Sequence, residues 1–244
     1  MLHWAYCENL LSDQITVADA EAHHLIHVLR FRVGSELTLF DGHGTEATAK
    51  VVSVTRRDLT CSVLSRTLHV RESRPELIAI ASPPKADRLK WMVEKLTEIG
   101  VDRLVLLNTS RTVTTPGETR LDKIHSTMIA ACKQCRRPFS MELSPLQSIE
   151  TILSELKHGI ASPFICIAHP GTSVTLEEAC RPADQTGPAA IMIGPEGGFT
   201  NDEVQQALTC GAVAVSWPNT ILRIETAAIV FATLMMSRIH RSQP

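Results

Sequence analysis

From residue 77 onward, short uninterrupted apolar runs alternate with stretches of helical periodicity, and few architectures satisfy that alternation. Leu77–Ala81, Leu104–Leu107, Phe164–Ala168, Ala189–Ile193 and Ala212–Ser216 each span four or five residues without a regular polar face. Such runs suit strands buried on both sides, as in a parallel sheet covered by helices. Residues 87–99 put Leu89, Met92, Val93, Leu96 and Ile99 on one helical face, and Gly100 supplies the stop. Further helices are predicted over 121–136, ending before Pro138, over 202–209, and from about 226 to 239. The expectation is an α/β domain with a mostly parallel sheet.

The preceding residues follow another rhythm. Strands are predicted over 36–40, 46–55 and 59–64, with a turn at Asp41-Gly42-His43-Gly44 and a second at Arg56-Arg57-Asp58. Closely spaced short strands point to a small β-barrel. One helix, over 19–30, is predicted before them, acidic at its start and basic at its end as the helix dipole favours. The polar stretch 71–75 reads as a linker, which divides the chain into residues 1–72 and 73–244.

Charge and cysteine content narrow the setting. The net charge of −2 is not that of a strongly basic nucleic-acid binder, so any RNA surface has to come from local clusters. Seven scattered cysteines, Cys7, Cys61, Cys132, Cys135, Cys166, Cys180 and Cys210, with no secretory signal, fit free thiols in the cytoplasm. No apolar stretch approaches the roughly 20 residues that span a bilayer. Cys132-x-x-Cys135 is a lone pair on a predicted helix, and His23 and His27, at i and i+4, lack the His-Glu-x-x-His motif and suit a surface or helix-end role, so no metal is expected.

Two segments carry the chemistry. Gly194-Pro195-Glu196-Gly197-Gly198-Phe199 follows one predicted strand and precedes a helix. Ligands in α/β sheets bind at the carboxyl ends of strands, and glycines let backbone approach them closely. The loop is neither a phosphate P-loop nor a dinucleotide fingerprint. A tight turn capped by Thr200, Asn201 or Asp202, with Glu203 supporting the first turn, explains it equally well on its own. The second segment, Trp217-Pro218-Asn219-Thr220-Ile221-Leu222-Arg223-Ile224-Glu225-Thr226, sits between a strand and the last helix. Its bland reading is a helix cap by Glu225 paired with Arg223, which leaves the loop's length unexplained.

Together the two segments resemble the last two loops of the SPOUT methyltransferases, and most closely the ribosomal RNA small-subunit methyltransferase E family. Four further stretches resemble that family in order: His24–Arg30 with Gly34; Lys85-Ala86-Asp87-Arg88 with Glu94–Val101; Ser110-Arg111; and Gln134 with Arg136-Arg137-Pro138. The resemblance implies a PUA-like RNA-binding barrel followed by a parallel sheet with a C-terminal trefoil knot. It implies S-adenosylmethionine as cofactor, methylation of uridine N3 in the decoding region of 16S ribosomal RNA, and a homodimer.

On that basis His169, Ile193, Gly194, Pro195, Glu196, Gly197, Gly198, Trp217, Pro218, Leu222 and Thr226 are expected to hold the cofactor. Arg223 and Glu225 are expected to face the base, an arginine stabilising the uracil anion and Glu225 or Glu98 accepting its proton. Arg111 and Arg136 are alternative anion stabilisers. RNA affinity is assigned to Arg30, Arg32, Arg56, Arg57, Arg111 and Arg136, and also to Arg66, Arg71 and Arg74 in the N-terminal third. Two rivals remain open: a SPOUT enzyme acting on a ribose 2′-hydroxyl or a tRNA base, and a non-catalytic RNA-binding ribosome-assembly protein.

Overall fold

The apolar runs form a six-stranded sheet in a computed structural model that describes residues 2–159, 162–179 and 187–241, without side chains for 118–120 and 241. Its strands are β6 (Leu77–Ala81), β7 (Arg103–Asn108), β8 (Glu142–Ser148), β9 (Phe164–Ala168), β10 (Ala189–Ile193) and β11 (Val213–Val215). Every neighbouring pair is parallel, in the order β11-β9-β10-β6-β7-β8. β6 and β10 lie inside the sheet, and all of their residues are buried. This is why they read as unbroken apolar runs.

Side-chain alternation divides the inner strands between two cores. Leu77, Ala79, Ala81, Ile191 and Ile193 pack with α2 (Ala86–Ile99), the first part of α3 (Glu118–Cys135) and α7 (Ile224–Arg241). Ile78, Ile80, Ala190 and Met192 pack on the other face with α4 (Ile149–Lys157) and α6 (Asn201–Thr209). Helices on both faces complete the α/β layering. Gly100 caps α2 with a φ of +98°, the left-handed conformation glycine adopts without a Cβ penalty.

The chain forms two compact units, Met1–Glu72 with Ile129–Ser140, and Ser73–Met128 with Met141–Pro244. The first therefore gathers the end of α3, which a linear reading places with later residues. Its five-stranded sheet has the order β1-β3-β4-β5-β2, from β1 (His3–Tyr6), β2 (Gln14–Val17), β3 (Glu36–Phe40), β4 (Thr45–Val54) and β5 (Leu59–Leu68). Only the β1–β3 pairing is parallel. Leu25, Leu37, Leu39, Leu59 and Cys61 fill its core. Trp4 and Phe40 cluster with Ile129 and Cys132 of α3.

The predicted turn at 41–44 is present: Asp41 Oδ1 accepts from the His43 and Thr45 amides at 2.7 and 3.0 Å. A side chain on Gly44, whose φ is +104°, would strike the Phe139 ring. Burial pushes the Cys132 thiol up to about 11, and Cys132 and Cys135 donate to backbone carbonyls. Six cysteines are free thiols, and Cys180 lies outside the described residues.

Several elements differ from expectation, among them β1, β2 and α5 (Leu176–Ala179), which were not predicted. The helix predicted over 19–30 is α1 (Asp19–His23) followed by one π-helical stretch, His24–Val28. Arg30 takes a φ of +58° and Phe31 N–H donates back to Leu25 O at 2.9 Å, a left-handed stop that shortens the helix. β8 was hidden by Pro145, tolerated because β8 is an edge strand. α4 went unpredicted although Ile149, Ile152, Leu153 and Leu156 carry a clear helical period and Ser148 caps its start. No helix of the described residues is long and apolar enough to cross a membrane.

Candidate active site

β10 is inserted between β6 and β9, with β11 outside β9, so the carboxyl ends of β9, β10 and β11 are neighbours. The loops leaving them surround one cavity of about 410 Å³. That volume lies in the range of small-molecule and cofactor sites. Ala168, His169 and Pro170 come from the first loop, Ile193–Phe199 from the second, and Val215–Trp217 with Thr220–Ile224 from the third. Ala227 and Phe231 of α7 complete the wall.

Of the eleven residues assigned to the cofactor, nine line this cavity: His169, Ile193, Gly194, Pro195, Glu196, Gly197, Gly198, Trp217 and Leu222. Pro218 faces a neighbouring hollow that shares Trp217 as a wall. Thr226 is displaced by helix geometry. Ile224, Ala227 and Phe231, at i, i+3 and i+7, form the face of α7 toward the cavity, and Thr226 is off that face. Ala227 and Phe231 were missed, although that same period, continued from Ile224, would have found them.

Arg223 lines the cavity and is exposed. Its carbonyl accepts from the Ala227 amide at 2.8 Å, which starts α7. Among the described residues its guanidinium has no hydrogen-bond or ion-pair partner, so the charge is available. Glu225 is not beside it. Glu225 is buried, does not line the cavity, and sets Oε1 3.6 Å from Arg88 Nε. The expected placement of Arg223 and Glu225 on one base is therefore corrected: the turn of the helix aims them apart. Glu98, the other proposed proton acceptor, binds Lys95 Nζ at 2.9 and 3.1 Å and does not line the cavity.

The glycine loop is fixed from inside. Gly198 N–H donates to Pro195 O at 2.8 Å, and Gly198 has a φ of +68°. A Cβ on Gly194 would lie 3.0 Å from the Phe199 ring. Thr200 caps α6 in a reciprocal box: its hydroxyl accepts from Glu203 N–H at 3.2 Å, and Glu203 Oε2 accepts from Thr200 N–H at 2.8 Å. Glu203 Oε1 accepts from Ser110 N–H at 2.8 Å. Burial pushes the Glu203 carboxyl up, but the hydrogen bonds from Ser110 and Thr200 outweigh it and hold the group below the usual carboxylate range.

Arg111 is exposed and bonded to the glycine loop. Its Nη1 donates to Gly197 O at 2.6 Å and to Phe199 O at 3.4 Å. Arg30, Arg32, Arg56, Arg57 and Arg136 are exposed in the first unit. The Arg56-Arg57 turn is shaped by Thr55, whose hydroxyl accepts from the Arg57 and Asp58 amides at 3.2 and 2.9 Å. Arg66 and Arg74 are bonded within the protein. Arg66 donates to Leu10 O, Ser12 O and Asp13. Arg74 makes a two-pronged pair with Asp102 at 2.7 and 3.0 Å. Arg71 stands 4.8 Å over the Phe139 ring. Among the described residues no cluster of three or more histidines, cysteines or carboxylates could hold a metal.

Comparison with known proteins agrees with this geometry. Residues 71–236 match the model of an RNA methyltransferase domain, and residues 17–64 that of an RNA methyltransferase PUA domain. The chain is 31% identical over 225 residues to the ribosomal RNA small subunit methyltransferase E of Mycobacterium bovis, covering 88% of this chain and 84% of that protein. The Bacillus subtilis protein of the same name is 23% identical over 220 residues, covering 88% and 86%. Among solved structures, the Neisseria gonorrhoeae ribosomal RNA small subunit methyltransferase E bound to S-adenosyl methionine superposes with a TM-score of 0.84. It is 27% identical, over 97% of this chain and 98% of that one.

Proposed function

This chain belongs to the ribosomal RNA small subunit methyltransferase E family, and from that premise we propose that it methylates N3 of a uridine in the decoding region of 16S ribosomal RNA, with S-adenosylmethionine as donor. One observation carries the reading: three carboxyl-end loops surround one cavity, and Arg223 brings to its wall a guanidinium that has no partner among the described residues. The donor's presence in the Neisseria gonorrhoeae relative supports the choice of cofactor.

The wall suits that donor. Ile193, Trp217, Leu222 and Phe231 offer apolar surface to a flat purine, and the glycine loop offers backbone donors and acceptors at its edge. Glu196 is the single carboxylate of the lining, and Arg223 is its single cationic side chain. S-adenosylmethionine supplies a methyl group on a positively charged sulfur. His169, Gly194, Gly197, Gly198 and Leu222 bind and orient it, which spends binding interactions on alignment.

When bound, the donor would give its methyl to N3 as its sulfur–methyl bond breaks with the electron pair going to sulfur, and the negative charge left as N3 loses its proton would spread over the flanking O2 and O4. Arg223 stabilises that charge and favours N3 deprotonation. The proton passes to solvent. Glu225, held by Arg88, fixes the start of α7 and so the direction of Arg223. Arg30, Arg32, Arg56 and Arg57 take the RNA backbone, with Arg136 following α3. An unstacked uridine in looped RNA reaches the cavity at least cost. The trefoil knot, the homodimer and the cytoplasmic setting belong to this same reading.

The test is incubation with labelled S-adenosylmethionine and small ribosomal subunits, followed by RNA digestion and nucleoside identification. N3-methyluridine is expected. Label on a ribose hydroxyl or on another base would overturn the target, and no transfer would favour a binding protein.

A further inference from the structure

We infer that Arg111 and Glu203 form a two-sided clasp that sets the shape of the glycine loop, so that Arg111 is a positioning residue for cofactor binding rather than an RNA contact. This rests on the proposed role of the cavity as the S-adenosylmethionine site.

The clasp begins in the turn after β7. Thr112 Oγ1 accepts from Thr109 N–H at 2.8 Å, and Thr112 N–H donates to Thr109 O at 3.1 Å. This closed turn fixes the directions in which Ser110 and Arg111 leave it. Ser110 N–H is donated to one oxygen of Glu203, and Thr200 N–H to the other, both at 2.8 Å. A single buried carboxylate thus ties the turn to the far end of the glycine loop. Arg111 supplies the second tie, through the carbonyls of Gly197 and Phe199 at 2.6 and 3.4 Å.

Packing gives an independent mark. A Cβ on Gly197 would come within 3.3 Å of Arg111 Cδ and 3.5 Å of its Cβ. The arginine stem lies across the Gly197 α-carbon, and a Cβ at 197 would press it aside by a few tenths of an ångström. A guanidinium donates more than one hydrogen bond in a fixed plane, which an ammonium cannot reproduce. A carboxylate accepts from two amides at once, whereas a glutamine has one oxygen and would turn its NH2 group toward the second amide.

The experiment compares wild type with Arg111→Ala, Arg111→Lys and Glu203→Gln in the full chain. Backbone hydrogen exchange at Gly198 and Thr200 is read first, without cofactor, and S-adenosylmethionine and RNA affinities are read separately. Arg111→Ala should lose exchange protection at Gly198 and weaken S-adenosylmethionine binding at least about tenfold, the scale of one charge-assisted hydrogen bond, at unchanged RNA affinity. Arg111→Lys should recover part of the cofactor affinity, which a general loss of fold would not allow. Glu203→Gln should expose the Ser110 or Thr200 amide to exchange. Unchanged protection together with weakened RNA binding in Arg111→Ala would overturn the clasp. Should wild type bind no S-adenosylmethionine, the functional reading falls instead, and exchange in the free protein still decides the clasp.

Discussion

Glu225 is paired with Arg88, at 3.6 Å across the gap between α7 and α2, and not with Arg223 two residues before it. Its side chain is 8% exposed and that of Arg88 41%, so the pair joins a buried carboxylate to a half-exposed guanidinium. Removing the arginine strands the carboxylate in the interior. Removing the charge of the acid leaves an arginine that water can solvate.

Arg88→Ala should therefore destabilise the protein by about 1–3 kcal/mol, the cost of an unsatisfied buried polar group. Glu225→Gln should cost less and retain most of the turnover. Urea unfolding and single-turnover methylation check both. A loss of turnover in Glu225→Gln at full stability would restore the acid to a proton-transfer role.

Arg223 should behave in the opposite way. Its guanidinium is exposed and free of partners among the described residues, so Arg223→Ala should leave stability within about 0.5 kcal/mol of wild type. Methyl transfer should fall by a factor of about 10²–10³, as when a single donor to a developing oxyanion is removed. Cofactor affinity, measured by calorimetry, should change little.

RNA affinity should weaken steeply with salt. Arg56→Ala with Arg57→Ala should reduce the slope of log K against log[salt] by about 0.7–0.9 for each phosphate that these arginines neutralise. Arg66→Ala and Arg74→Ala should act chiefly on stability, because those side chains are held by Asp13 and Asp102. Filter binding at several salt concentrations separates the two groups.

Acid should loosen the glycine loop through Glu203. Its carboxyl in the folded protein lies below its ordinary value of 4.5, so its stabilising contribution is present above that value and is lost as pH falls through the lower folded one. Thermal unfolding followed downward from pH 5 should decline in wild type, and this part of the decline should be missing in Glu203→Gln. Equal acid sensitivity in both proteins would contradict the assignment.

Much of the fold was legible because periodicity reports burial. Strands β3, β6, β9 and β10 coincide with their apolar runs, and α2 stops at the glycine that its pattern indicated. β1 and β2 are four residues each, too short for a period to emerge. The cavity was legible to the same extent. A loop between a buried strand and a helix can be placed from sequence, and nine of the eleven assigned cofactor residues meet there.

Sequence by itself determined the layer architecture and the two strand-to-helix loops that meet at the cavity, whereas the role of Arg223 came only from the family resemblance. The architecture and the loops follow from local pattern, in which each residue's burial is set by its own helix or strand. Only the tertiary structure decided which partner each charged group takes. Arg111 reaches a loop 86 residues away, Arg74 an aspartate 28 residues on, and Glu225 an arginine of another helix. The physical reason is that hydrogen bonds and ion pairs act over a few ångströms of space, whatever the separation along the chain. Until the loops fold back, a structural arginine and a functional one look alike.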